Sequence, residues 1–339
     1  MAQVTAVSTP EYSVIVPAYQ EEDVVGACVR ALAQQTVDRA RYEILVVDDG
    51  STDATSDVAR EAGADLVIRV PHGGPAAARN AGIEAARGDI VLFTDADCEP
   101  GEDWIAHMVA PLADAKVMGV KGTYRTRQPS LIARLVQLEF EIRYERMEVL
   151  ERIDFIDTYA AAYRRALLVE HGLFDTAYIA AEDVDLSFRL AQAGHWLVFV
   201  PGAWVWHRHP ATLGRYLARK ARFGYWRALL YVRYPDKISG DAHTDPMLKP
   251  QFALVALLGL AVIAGLFWTP AWLAALLLVL LFLTTTLSFV RWAWRRDRAV
   301  ALAWPGVTLL RVIVQGLGLA LGLLRQIGER DSGAGHNKR

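Results

Sequence analysis

Short apolar runs alternate with helix-spaced segments through the first hundred residues. Tyr12–Pro17, Tyr42–Val47 and Asp65–Val70 read as strands, and Ile90-Val91-Leu92-Phe93 opens a fourth that ends at Asp95. Between them, Asp23–Gln35 places Val24, Cys28 and Leu32 at helical spacing. Asp53–Ala62 reads as a helix capped by Asp53, and Ala76–Ala86 as one opened by His72-Gly73-Gly74-Pro75. Strands separated by helices of about ten to fifteen residues imply an α/β domain with a parallel sheet and right-handed crossovers. Further on, Leu131–Ile153 carries Leu131, Leu135, Leu138 and Ile142 on one helical face, which ordinary packing explains.

The last third follows another pattern. Phe252–Trp268 runs 17 residues without a charge and Ala271–Val290 another 20, parted by Thr269-Pro270. At about 1.5 Å per residue each crosses a hydrocarbon core of roughly 30 Å, the first once its flanks are included. The pair reads as a transmembrane hairpin, 252–268 and 271–290. A third stretch, 299–324, contains Arg311 and Gln315 four apart on one face, and a small-xxx-small pair, Gly318 and Gly322. That suits a membrane helix turning its polar and small side to neighbours, with an in-plane helix as the alternative.

Charge changes the picture between these regions. The chain of 339 residues is near balance, at a formal net charge of -2, so bulk electrostatics suggest no nucleic-acid partner. From Trp204 to Lys237, however, eight Lys/Arg and one acid interleave with eight aromatics. Arg215, Arg219 and Arg222 form one helical stripe, and Trp226, Tyr225 and Tyr231 suit the headgroup zone, so 211–250 reads as an interfacial segment. Basic residues before the first span and in Arg291–Arg298 place both, with the N-terminal domain, in the cytoplasm. Met1–Tyr12 shows no signal peptide. Cys28 and Cys98 lie far apart and suggest no disulfide or metal framework, in keeping with a reducing compartment. The expected organisation is 1–210 catalytic, 211–250 interfacial, 251–325 membrane and 326–339 a polar tail.

The chemistry concentrates where strands end. Glu21, Asp48, Asp49, Arg79, Asp95 and Asp97 all fall in segments leaving strand ends or opening the next helix, where open α/β sheets bind ligands. Asp95 and Asp97 sit two apart at the end of an apolar run. Two like charges so placed are costly unless a cation joins them, and a hard divalent ion there would neutralise a diphosphate. No Gly-x-Gly-x-x-Gly follows the first strand and no Gly-Lys-Ser/Thr loop occurs, so dinucleotide oxidoreduction and P-loop hydrolysis are poorly supported. A metal-ion channel is disfavoured because the two clear spans hold no charge.

These residues resemble the family 2 glycosyltransferases of the GT-A fold. The likeness runs through Ser13-Val14-Ile15-Val16-Pro17-Ala18-Tyr19-Gln20-Glu21-Glu22, Val46-Val47-Asp48-Asp49-Gly50-Ser51-Thr52-Asp53, Gly74-Pro75-Ala76-Ala77-Ala78-Arg79-Asn80-Ala81-Gly82 and Phe93-Thr94-Asp95-Ala96-Asp97. It continues in Gly172-Leu173-Phe174-Asp175 and Ala181-Glu182-Asp183-Val184-Asp185-Leu186 and covers roughly 12–210. The resemblance implies a GT-A type, Rossmann-like parallel-sheet domain, followed here by interfacial helices and a C-terminal α-helical membrane region. It implies that Pro17, Tyr19 and Glu21 line the base and ribose pocket, that Asp49 bonds the base, and that Arg79 lies near the nucleotide or its phosphates. Asp95 would face the ribose, and Asp97 would ligate Mn2+ or Mg2+ on the donor diphosphate, with His207 as a further ligand. Asp183 would be the general base. Glu182, Arg219 and Arg222 are candidates for the acceptor or phosphate side.

The expected function is inverting, metal-dependent transfer of a sugar from a nucleotide diphosphate sugar, UDP-sugar favoured. The acceptor is a lipid-linked or polyprenyl-phosphate molecule at the cytoplasmic face of the inner membrane. The sequence Arg219-Lys220-Ala221-Arg222-Phe223-Gly224-Tyr225-Trp226 stands where polymer-forming relatives carry Gln-x-x-Arg-Trp, which argues against a processive polysaccharide synthase. That synthase, and a catalytically silent membrane adaptor, are the alternatives.

Overall fold

The computed structural model describes residues 9–178, 180–238 and 244–334, with side chains as far as 326. The chain divides into two compact units, 1–127 with 144–208, and 128–143 with 209–339. The expectation for Met1–Tyr12 lies mostly outside the described residues, as does the end of the tail from 335.

The first unit is built on an eight-stranded sheet. Its strands are β1 (Tyr12–Ala18), β2 (Tyr42–Asp48), β3 (Leu66–Arg69), β4 (Ile90–Phe93), β5 (Cys98–Pro100), β6 (Val117–Arg125), β7 (Ala161–Arg164) and β8 (Trp196–His207), in the spatial order β3-β2-β1-β4-β7-β6-β8-β5. The first four are parallel, joined by α1 (Val25–Ala33), α2 (Thr55–Glu61) and α3 (Pro75–Ala85). Val14, Ile15 and Val16 of β1, Ile44 to Val47 of β2 and Val91 to Phe93 of β4 are fully buried. That is why these strands read as continuous apolar runs rather than alternating ones. Each such side chain contributes about 1.5–3 kcal/mol on burial. The α3 helix lies so close to β1 that a Cβ at Gly82 would sit 2.4 Å from Ile15 Cγ2.

Beyond β4 the sheet is mixed, where a parallel sheet was expected. The β7 strand runs antiparallel to β4, β6 antiparallel to β7, β8 parallel to β6, and β5 antiparallel to β8. The consequence is a shared rim. The carboxyl ends of β1, β2, β4, β6 and β8 all lie on one edge of the sheet, together with the amino ends of β5 and β7. The three-residue β5 was not anticipated, because its partner lies over a hundred residues away.

The remaining helices of this unit are α4 (Trp104–Val109), α6 (Arg165–Glu170) and α7 (Glu182–Gln192), and α5 (Leu131–Glu148) contributes its last residues.

The second unit holds the earlier part of α5 with α8 (Leu213–Arg233), α9 (Leu248–Gly265), α10 (Ala271–Trp294) and α11 (Arg298–Ala334). Among the described residues, three stretches are long and apolar enough to cross a membrane: Leu248–Gly265, Ala271–Trp294 and Arg298–Gln326. The third helix continues past 326, into what was expected to be tail. Gly318 and Gly322 do face a neighbour, and it is α8. A Cβ at Gly318 would lie 2.1 Å from the Ala221 carbonyl oxygen, and one at Gly322 would lie 2.5 Å from that of Tyr225. Gly224 of α8 meets the Gln315 carbonyl in the same way.

Arg311 is buried and donates to Glu139 Oε1 at 2.7 Å, and Glu139 also accepts from Tyr216 Oη at 3.0 Å. Lys220 Nζ stands 3.1 Å from the other Glu139 oxygen. Burial raises the Glu139 carboxyl, but the charges of Lys220, Arg311 and Arg143 outweigh it and bring it down to about 2. Desolvation also lowers Lys220, to about 8: the charge of Glu139 raises it, and those of Arg311 and Arg143 add to the lowering.

Candidate active site

The rim gathers the residues singled out above. Pro17 is half-buried in β1. Past β1, the exposed ring of Tyr19 stacks on His72 with centroids 4.2 Å apart. Gln20 follows with φ 57°, its N–H donating to Ser51 Oγ, and the Glu21 N–H donates to Thr55 Oγ1. These bonds tie the β1 exit to the β2 exit. The Glu21 carboxyl is pushed up to about 7, by burial first and then by the charges of Asp97, Asp95, Asp53 and Asp23. Acidic groups crowded enough to hold a proton near neutrality would release it to a cation.

Past β2, Asp48 and Asp49 are both buried and both engaged with their own loops. Asp48 accepts from the Ser51 N–H at 2.8 Å and from the Ser56 hydroxyl. The two oxygens of Asp49 accept from the N–H groups of Gly73 and Gly74 at 2.8 and 2.9 Å, with His72 Nδ1 2.9 Å away. Gly74 holds φ +87°, which aims those amides and starts α3 at Pro75. Carboxylate oxygens keep further lone pairs, so Asp49 retains capacity for a ligand donor.

Arg79, on α3, is buried between two carboxylates. One terminal nitrogen lies 2.5 Å from Glu182 Oε1 and the other 3.0 Å from Asp95 Oδ1. Its neighbour Asn80 clamps the Phe174 backbone in both directions, donating to the carbonyl at 2.9 Å and accepting from the N–H at 3.0 Å. Thus one turn of α3 fixes the segment leading to α7 and the start of α7 itself.

That start is strained: Ala181 has φ +82°, which costs a residue with a Cβ of order 1 kcal/mol or more. Glu182, Asp183 and Asp185 fill the first turn, where the helix dipole favours acids. Glu182 is paired with Arg79, and the fully buried Asp185 is paired with Arg189 at 2.9 Å. Asp183 accepts from the Val184 N–H at 2.8 Å. Burial first, then the charges of Glu182 and Asp157, hold the Asp183 carboxyl well above its usual range, and Arg79 counteracts them.

At the far end of the rim Asp97, Cys98 and His207 converge, their ligand atoms all within 4.8 Å of one another. His207 Nδ1 is 3.3 Å from Asp97 Oδ2, and Cys98 Sγ is 3.8 Å from that nitrogen and 3.7 Å from Asp97 Oδ1. Oxygen, nitrogen and sulfur donors at these separations fit one divalent ion, which Asp97, a third exposed, would meet from solvent. The cysteines, read from sequence as suggesting no metal framework, gain one candidate: Cys98 is among three groups that could hold an ion, because β5 pairs with β8 and sets Cys98 opposite His207. Burial, then the charges of Asp97 and Asp95, hold its thiol well above the ordinary range.

Sequence reasoning also missed Tyr124, which stacks on His207 with centroids 4.3 Å apart and so sets the imidazole plane. It missed the buried Lys121, ion-paired with Asp157 on the rim. Neither carries a local signal; both depend on the order of β6, β7 and β8. Arg219 and Arg222 lie on α8, in the second unit: Arg219 is 5.3 Å from the Phe223 ring and Arg222 is exposed.

Residues 10–225 match the family described as "Glycosyltransferase like family 2". The chain is 30% identical over 236 residues to glycosyltransferase AglE of Haloferax volcanii, covering 68% of this chain and 76% of that protein. It is 32% identical over 240 residues to the pre-mycofactocin glycosyltransferase of Mycobacterium tuberculosis, covering 66% of this chain but 48% of that protein, about half its length. Among solved structures, the mannosyltransferase PcManGT from Pyrobaculum calidifontis, in complex with GDP-Man and Mn2+, superposes with a TM-score of 0.59. At 22% identity, over 92% of this chain and 88% of that one, this likeness speaks for the GT-A fold. The chain belongs to family 2 of the glycosyltransferases, enzymes that draw on nucleotide-sugar donors, and its described residues include three helices of membrane-crossing length.

Proposed function

We propose that this glycosyltransferase is metal-dependent and inverting, and that it adds a single sugar to a lipid-linked acceptor at the cytoplasmic face of the inner membrane. The observation that carries the mechanism is the Arg79 bridge. It ties Glu182, and with it the Asp183 turn, to Asp95, so that base and cation-side carboxylates stand on one rim. Asp97 and His207 hold Mn2+ or Mg2+, which when bound neutralises the leaving diphosphate as a Lewis acid.

The chain's own groups do the rest. Tyr19, Pro17 and Asp49 surround the nucleotide base, and Glu21 and Asp95 face the ribose side. Asp183 takes the proton of the acceptor hydroxyl as it attacks. Burial and the charge of Glu182 raise its carboxyl, which makes it a stronger base than an ordinary carboxylate. Its neighbours Glu182 and Asp185 are both occupied by arginines, so no second carboxylate of that turn acts as nucleophile. One displacement inverts the anomeric centre.

The acceptor class is supported by the three membrane-length helices on the same chain, since anchoring concentrates the enzyme with substrates already in the bilayer. The test is a donor screen in membranes carrying the full chain. Radiolabelled UDP-sugars come first and GDP-sugars second, followed by lipid extraction and chromatography. The expected product is a lipid bearing one added sugar, lost in Asp183→Asn. Label confined to water-soluble glycan, or a ladder of product lengths, would contradict the single-addition, lipid-acceptor reading.

A further inference from the structure

The Asp97–Cys98–His207 cluster mixes ligand types of different hardness, and its sulfur points to an ion other than the one the reaction uses. Zinc binds thiolate sulfur at about 2.3 Å and imidazole nitrogen at about 2.0–2.1 Å, which at a tetrahedral angle sets the two about 3.6 Å apart. Cys98 Sγ and His207 Nδ1 are 3.8 Å apart, within about 0.2 Å of that edge. Asp97 brings Oδ2 to 3.3 Å from the nitrogen and Oδ1 to 3.7 Å from the sulfur, and the three ligand atoms of the group lie within 4.8 Å of one another. The cross-strand pairing of Cys98 with His207 keeps both side chains on the same side of the sheet. Stacking on Tyr124 restrains the imidazole further.

Thiolate ligands favour zinc and other soft ions and do little for Mg2+ or Mn2+, which prefer oxygen. We propose that Asp97, Cys98 and His207 form a zinc site, at which Zn2+ displaces the catalytic Mn2+ or Mg2+ and inhibits transfer. This rests on the metal-dependent reading of the same cluster. On binding, the Cys98 S–H bond breaks, sulfur donates to Zn2+, and the proton goes to buffer; nothing is oxidised or reduced. Inhibition follows from coordination number. A tetrahedral ion with three protein ligands keeps one open position, whereas chelating a diphosphate takes two.

The test uses the full chain purified in detergent and carrying His195→Ala. That change removes a rival pair of imidazoles, since the Nε2 atoms of His171 and His195 are 2.7 Å apart. Zinc affinity is measured by competition with a chromophoric chelator, and Co2+ is added separately as a spectroscopic probe. One zinc per chain and a thiolate-to-cobalt charge-transfer band are expected. Cys98→Ser should lose the band and bind zinc at least ten-fold more weakly. The zinc concentration for half-inhibition, relative to each protein's own Mn2+-supported rate, should rise by a similar factor. Absence of the band in the protein that keeps Cys98, or equal zinc affinity in Cys98→Ser, overturns the proposal. The band and the zinc affinity do not depend on turnover. Failure of the functional reading would instead appear as transfer that needs no divalent ion.

Discussion

Replacing Arg79 by methionine removes a charge while keeping most of the side chain's volume, and its consequences follow from the two bonds lost. Glu182 is nearly buried, with 8% of its side chain exposed, so it would be left as an uncompensated internal carboxylate. Breaking one side of a buried pair costs about 3–5 kcal/mol. Asp95 is 34% exposed and water can replace most of its interaction, so that bond adds about 1 kcal/mol or less. The expected loss is therefore about 3–5 kcal/mol, roughly a hundred- to several-thousand-fold in the folding equilibrium. Denaturant unfolding of the protein in detergent measures it.

Adding Glu182→Gln to Arg79→Met should recover much of the loss, because the orphaned charge disappears with its partner. There is also a catalytic signature. The Arg79 charge draws the Asp183 pKa down against burial and Glu182, so Arg79→Met should shift the acid limb of the rate profile to higher pH. A merely structural arginine would not move that limb. Destabilisation below about 0.5 kcal/mol, the level of ordinary surface changes, would refute the bridge. So would a double variant no more stable than the single one.

Three further outcomes follow from the same reasoning. Asp183 holds its proton to higher pH when folded than when unfolded, so ionising it opposes folding, and stability falls as pH rises through the window above about 3.9. Asp183→Asn should thus abolish transfer yet raise the melting temperature near neutral pH; a lower melting temperature would count against the raised carboxyl. Glu139→Gln leaves the buried Arg311 and the half-buried Lys220 without their carboxylate and should destabilise by about 3–5 kcal/mol, with an unchanged melting curve as the contrary result. Gly318→Val pushes side-chain atoms into the Ala221 carbonyl of α8, and protease should then cut the α8 region faster; wild-type cleavage rates would argue against that contact.

How much of this was legible in the chain depends on the distance between partners. The parallel half of the sheet could be read because β1, β2 and β4 are buried along almost their whole length and separated by helices with their own period. The two helices of the hairpin were as plain, since no charge interrupts 252–268 or 271–290; the third, with Arg311 and Gln315 inside it, left an in-plane helix open. The mixed half was not legible: β6, β7 and β8 pair with one another across long segments, and the three residues of β5 carry no pattern at all. The site divides along the same line. Asp95, Asp97 and Asp183 stand in motifs that can be recognised locally. The placement of Cys98 against His207 depends on strands far apart in sequence, as does the burial of Arg79 against Glu182. Glu139 lies outside the apolar face Leu131, Leu135, Leu138 and Ile142, and only the packing of α8 and α11 gives it its counter-charges.

The central claim is that Asp97 holds a divalent ion that the donor diphosphate needs. It is tested most directly by transfer from labelled donor in membranes, comparing wild type with Asp97→Ala across a Mn2+ titration after chelation. Wild-type transfer should vanish with chelator and return with Mn2+, while Asp97→Ala should stay at least a hundred-fold lower at every concentration, a loss of about 2.7 kcal/mol or more in transition-state stabilisation. Transfer by Asp97→Ala at the wild-type rate, or wild-type transfer indifferent to chelation, would contradict the account.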